Sequence, residues 1–316
     1  MYKKVSISID EDCVELFEQA AERHGMTLSA FLQDAGLLYL MRHDDTTKKQ
    51  LQDISAKGSK NGEKVRKPRY TAKETEKIFC DFIQYLNGEL KKYRGDEFRC
   101  KYSLSQENRF SWLSEDMVCG ETAEENYAME QLLHRKLMEA LENKDEDLCF
   151  EVVRAAMDWG GVYYNRGVRK GNKPHVEKLH REHELLNTLN RSYWHIQNRE
   201  LELLEYFSSG WSIIWYLMDM ENLLIVSSRK IYALNKVLLA FQREHSVETI
   251  PAVLNFGQLV YQGSPRYIEG VRYLYTQKAK LVLLKKCVRV LNAVKSLGDF
   301  TDNKELDNLL FIMGEA

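Results

Sequence analysis

Residues Lys4 to Ile9 alternate strictly, with Val5, Ile7 and Ile9 on one face and Lys4, Ser6 and Ser8 on the other. This is the two-residue period of a strand. No hairpin partner lies nearby, so its backbone groups need a strand from elsewhere. Asp10 then caps a helical pattern that carries Glu11 and Asp12 in its first turn. Cys13, Leu16, Phe17, Ala20, Ala21 and His24 recur at steps of three and four. Gly25 is a left-handed stop, and Thr27 caps a second pattern with Leu28, Phe31, Leu32, Ala35 and Leu38 on its apolar side. The order is strand, helix, turn, helix in about 40 residues.

From Asp44 to Tyr70 the apolar period disappears. Lys48, Lys49, Lys57, Lys60, Lys64, Arg66, Lys67 and Arg69 face only Asp53 and Glu63 after Thr46, a net +6. With Gly58, Ser59 and Gly62 among them, they read as a flexible basic linker over 44–70. Helical patterns then fill 71–316. One opens on the capping-box spacing Thr71–Glu74 and runs to about Arg94, and another opens on Thr122–Glu125 and runs to about Asn143. Asp145 to Trp159 is a third, stopped by Gly160-Gly161. Further patterns cover about 174–207, 211–220, 227–244, 265–297 and 302–312. Residues 95–120 and 160–173 read as irregular. The expected architecture is mainly α: a one-strand, two-helix module at 1–43, the linker, and a large all-α domain.

Composition narrows the class. Hydrophobic residues are 44% and charged residues 29% of 316, with four prolines, as expected of a globular helical protein. A net charge of -2 gives no global attraction to nucleic acid, so any such signal must be local. The six cysteines, at 13, 80, 100, 119, 149 and 287, show no C-x-x-C spacing and are expected as free thiols in a reducing cytoplasm. Met1 to Ile9 is not a signal peptide. The most apolar stretch, Trp211 to Val226, is interrupted by Asp219 and Glu221 and is too short to span a bilayer. No membrane partner is expected.

The run Val5-Ser6-Ile7-Ser8-Ile9, then Ala20-Ala21-Glu22-Arg23-His24-Gly25, then Thr27-Leu28-Ser29-Ala30-Phe31 resembles the ribbon-helix-helix family of repressors, antitoxins and plasmid proteins. The resemblance covers about 43 of the 316 residues. It implies a homodimer whose paired strands enter the major groove of double-stranded DNA. It assigns base contacts to Lys4, Ser6 and Ser8, and a phosphate clamp to Thr27, Leu28 and Ser29. The physical chemistry agrees: pairing satisfies the lone strand, buries Val5, Ile7 and Ile9, and leaves a polar two-stranded ribbon that fits the groove. Free amides at the start of the second helix suit a phosphate. Tyr2 and Lys3 can touch the backbone, and the linker can add salt-sensitive affinity. The competing reading is a dimerisation or docking unit that never touches DNA.

The helical region carries no motif of high specificity. Gly160, Gly161, Gly167 and Gly171 fit neither the P-loop nor the dinucleotide pattern. His180 and His183, with Glu177 and Glu184, read as a solvated face sooner than as a metal site. Trp159, Tyr163 and Tyr164 precede Arg166, Arg169, Lys170 and Lys173, the aromatic and cationic mix of a nucleic-acid or phosphate surface. The plainer reading tucks these aromatics into the core. Lys278, Lys285 and Arg289 share one helix face opposite Leu281, Leu284, Val288 and Leu291. Ser209-Gly210-Trp211 to Leu234 is similar in layout to helix-hairpin-helix DNA glycosylases, but Ile213 or Ile214 and Ser227 stand where that family has its Lys and its catalytic Asp.

These readings converge on a non-enzymatic, sequence-specific DNA-binding homodimer of the cytoplasm and nucleoid. It needs no cofactor and no metal, acts in transcription, and carries a helical domain open to a protein partner. The alternative makes the helical domain an effector or nucleic-acid-processing enzyme tethered or autoregulated by the amino-terminal module, as in toxin-antitoxin, plasmid or phage-defence systems.

Overall fold

A computed structural model describes residues 70–96, 102–103, 112, 119–120, 122–164, 171–300 and 302–315. The chain divides into two units, Met1–Arg69 and Tyr70–Ala316, and the described residues all belong to the second. The strand, the two helices and the basic linker expected in the first unit lie outside them.

The described residues are mainly helical. The helices are α1 (Ala72–Lys92), α2 (Ala123–Asn143), α3 (Glu146–Trp159), α4 (Lys173–Arg181), α5 (Leu185–Gln197), α6 (Ser209–Met218), α7 (Ser228–Glu244), α8 (Gln277–Lys295) and α9 (Asn303–Met313). A short 3-10 turn, Leu201–Leu203, follows α5. Within the stretch expected to be irregular, β1 (Tyr102–Ser103) pairs antiparallel with β2 (Cys119–Gly120).

Local chemistry sets several boundaries. Both capping boxes form: Glu74 N donates to Thr71 Oγ1 at 3.2 Å while Thr71 N donates back to the Glu74 carboxylate at 2.7 Å. Thr122 and Glu125 repeat the exchange at 3.2 and 3.0 Å. Each satisfies amides that the first turn would otherwise leave open. Lys144, at a left-handed φ of 53°, ends α2, and Asp145 at once caps α3 through Leu148 N at 2.9 Å.

Two expected helical runs are broken. The stretch over 174–207 is α4, α5 and the 3-10 turn, with left-handed breaks at His183 (φ 56°) and Arg199 (φ 61°). The first break has a tertiary cause. Glu146 on α3 accepts from Leu185 N at 3.3 Å and Leu186 N at 2.9 Å, giving α5 a carboxylate at its start. The stretch over 265–297 is helical only from Gln277. Residues 246–276 instead form a long ordered connection around Gln258, which is 3% exposed. Gln258 N donates to Arg272 O at 2.8 Å, and Gln258 O accepts from Leu274 N at 3.0 Å. Its side chain bonds Ile268 O, Val271 O and Ile268 N. Backbone groups that a helix would need are thereby committed to Gln258.

One continuous apolar core joins these helices. Phe82 of α1, fully buried, meets Phe241 of α7 edge-on at 5.6 Å and Phe256 at 6.3 Å. Helix α1 also packs on α8 and α9, while α2, α3, α5 and α6 pack on one another. Among the described residues no helix is long and apolar enough to cross a membrane.

Candidate functional site

Of the residues assigned a role from the sequence, Lys4, Ser6, Ser8, Tyr2, Lys3, Thr27, Leu28 and Ser29 lie outside the described residues, as do Arg166, Arg169 and Lys170. Lys173 is described. Its ammonium is 3.7 Å from the Glu177 carboxylate and 5.4 Å from the centre of the Tyr164 ring. The base of its loop is zipped. Asn172 N donates to Val162 O at 3.1 Å and Lys173 N to Tyr163 O at 2.9 Å. The Asn172 amide also donates to Val162 O and accepts from the Ser208 hydroxyl at 2.7 Å, tying the loop to the cap of α6. Trp159 and Tyr163 are buried and Tyr164 is half-buried, so these aromatics belong largely to the core.

The loop leads directly into a small aromatic cavity of about 60 Å³, lined in part by His175, Thr188, Ser192, Glu205, Tyr206 and Trp211. His175 lies 4.6 Å from the Tyr206 ring and edge-on to Trp211 at 5.9 Å. Burial, and then the nearby Lys178, lower the pKa of its imidazole and so disfavour the charged form. The space suits a few waters and is too small for a nucleotide base.

His180 and His183 do not converge. His180 stacks on Phe150 at 4.2 Å and faces Glu146 and Asp147 at 3.8 and 3.6 Å. His183 occupies the left-handed turn after α4. Among the described residues no group of three or more His, Cys, Asp or Glu is placed to hold a metal. The cationic face of α8 is partly committed: Lys285 pairs with Glu202 at 2.8 Å, and Arg289 pairs with Glu76 at 3.0 Å and covers the Phe79 ring. Ile213 and Ile214 are buried in α6, and Ser227 caps α7 by accepting from Lys230 N.

The strongest electrostatic feature was not anticipated. Lys230 of α7 pairs with Asp307 of α9, and Lys304 of α9 pairs with Glu130 of α2, each at 2.5 Å. All four side chains are less than a tenth exposed. The Tyr216 hydroxyl donates to Glu130 at 2.9 Å, and Ile225 N donates to Asp307 at 3.1 Å. Burial pushes the Glu130 carboxyl up and the Lys230 ammonium down, and the ion pairs oppose both shifts. Two cations balance two anions, so the cluster is neutral. On one side it borders a cleft of about 300 Å³ lined by Tyr127, Tyr216, Met220, Lys295, Asn303 and Lys304. Its sequence signal is positional: Glu130 lies on the apolar stripe of Leu133 and Leu137, Lys230 one turn before Leu234, and Asp307 three residues before Leu310.

Comparison with protein-family models, with curated proteins and with solved structures finds no match for the chain.

Proposed function

We propose that the chain is a sequence-specific DNA-binding protein that acts as a homodimer in transcriptional regulation, through an amino-terminal β-ribbon in the major groove. The observation that carries this is the alternation of Lys4, Ser6 and Ser8 against Val5, Ile7 and Ile9, followed by two capped amphipathic helical patterns. The apolar face needs a second copy to bury it, and the polar face is then presented as a pair of strands. Lys4 donates to guanine acceptors, the serines bond a wider range of base edges, and Thr27 to Ser29 hold a phosphate. The basic linker adds affinity that ignores sequence and falls with salt. Such a protein works on the nucleoid.

The test begins with selection of bound sequences from a random duplex pool by the full-length protein. The selected site is expected to be roughly two-fold symmetric. Gel shifts on it should weaken steeply with salt, and Lys4→Ala combined with Ser6→Ala should cost about 1–3 kcal/mol on the selected site and much less on random duplex. Affinity indifferent both to salt and to those substitutions refutes the proposal.

A further inference from the structure

Three tyrosines on the 246–276 connection form a ladder of rings. Tyr261 stacks on Tyr273 with centroids 4.1 Å apart and planes 27° apart, and Tyr273 meets Tyr275 edge-on at 4.6 Å. Tyr275 is 72% exposed and Tyr261 57% exposed, so neither serves the core. Stacked rings exposed in this way offer flat aromatic faces to a partner. The ladder stands on a rigid base: the Gln258 side chain ties down Ile268 and Val271, and Asn235 Nδ2 holds Gly257 O at 2.7 Å. Little ordering is left for a partner to impose.

The segment that carries the rings is mainly basic. Residues 257–280 contain Arg266, Arg272, Lys278 and Lys280 against Glu269 alone. Farther along α8, Lys285 and Arg289 are paired, whereas Arg272, Lys278 and Lys280 make no ion pair among the described residues. Thr276 caps α8 directly after Tyr275, and no acidic residue occupies the first turn of that 19-residue helix. The rings therefore lead into a helix start that favours an anion.

From the ring ladder and its unpaired cations we infer that this surface binds single-stranded DNA, with bases stacking on Tyr261 and Tyr275 and phosphates held by Arg272, Lys278 and the start of α8. Flat faces take any base, and the cations follow the backbone. A polyanion matches the exposed cations Arg272 and Lys278, which flank Tyr273 and Tyr275 in sequence, better than a protein of mixed charge does. The choice of DNA over RNA rests on the duplex-binding function proposed above; the surface itself does not.

The test uses the full-length protein and a labelled 20-mer of thymidine, with the uridine 20-mer and a random duplex as parallel arms. Tyr261→Ala with Tyr275→Ala should weaken thymidine binding by about tenfold or more, and Tyr275→Phe should retain it, because stacking needs the ring and not the hydroxyl. Arg272→Ala with Lys278→Ala should lower the slope of log affinity against log salt by about 0.7 per lost contact. Lys4→Ala with Ser6→Ala should leave the thymidine arm unchanged while weakening duplex binding, which separates this surface from the ribbon. Unchanged affinity in both the tyrosine and the cation variants overturns the inference, as does loss of thymidine binding in the Lys4 and Ser6 variant. Tighter binding to the uridine arm overturns the assignment to DNA.

Discussion

The ammonium of Lys230 and the carboxylate of Asp307 meet at 2.5 Å across 77 residues of chain, with side chains 3% and 5% exposed. Each was taken out of water to make this contact, so neither can be removed alone without stranding the other. Lys230→Met should destabilise the domain by about 3–5 kcal/mol. Adding Asp307→Asn should recover part of that loss, because Asn keeps an acceptor for Ile225 N and leaves no charge. Chemical denaturation of the two variants measures the difference. A single variant of wild-type stability, or a double variant worse than the single, contradicts the account.

The His175 imidazole sits below its ordinary value of 6.5 because burial, and then Lys178, disfavour its charged form. The folded chain therefore binds fewer protons than the unfolded chain just below pH 6.5, and stability falls as pH falls through that window. The urea midpoint should drop between pH 7.5 and pH 5.5, and it should drop less in His175→Gln. An equal drop in both proteins would show that another group carries the effect.

Glycines at two positions should respond oppositely to a methyl group. A Cβ on Gly171 would lie 2.2 Å from Tyr163 O and 2.4 Å from Tyr164 O, both backbone atoms. Gly171→Ala should cost about 1–3 kcal/mol or more. On α1, a Cβ at Gly88 meets nothing within 4 Å, and Gly88→Ala should stabilise by about 0.5–1 kcal/mol. Thermal melts should thus move by several degrees down and a few degrees up; shifts in the same direction would count against the packing described.

Cys149 and Cys287 are buried, and loss of hydration pushes both thiols up to about 12. Cys80 is exposed. Maleimide at pH 8 should label Cys80 in the native protein and reach Cys149 and Cys287 only in denaturant. Peptide mapping by mass spectrometry reads all three at once, and native labelling of Cys149 would show that α3 opens readily.

What the sequence disclosed follows from how far each signal reaches. Thr71, Thr122 and Asp145 bond residues three positions on, so these helix starts could be read from neighbours alone. The breaks could not. The one at His183 is supported by Glu146 from another helix, and the non-helical course of 265–276 by Gln258 from the far side of a loop. Apolar period over-extends helices wherever distant groups capture the backbone. The same reasoning covers the candidate sites. Lys173 could be marked as cationic beside aromatics, but its partners Glu177 and Tyr164 blunt that charge. Glu130, Lys230 and Asp307 sit at apolar registers, and their meaning depends on partners 77 and 174 residues away. Two rungs of the tyrosine ladder, Tyr273 and Tyr275, were hidden inside the 265–297 run read as helix, where they would have pointed to different sides.

Both buried ion pairs draw one member from α9: Lys304 answers Glu130 of α2, and Asp307 answers Lys230 of α7. A nascent chain emerging from the ribosome thus exposes a lone carboxylate and a lone ammonium well before their counter-charges are synthesised. Premature collapse around α2 and α7 would strand each of them in an apolar setting. We therefore expect stable packing of α2 and α7 to wait on α9, and a ribosome stalled ahead of Asn303 should hold a protease-sensitive chain.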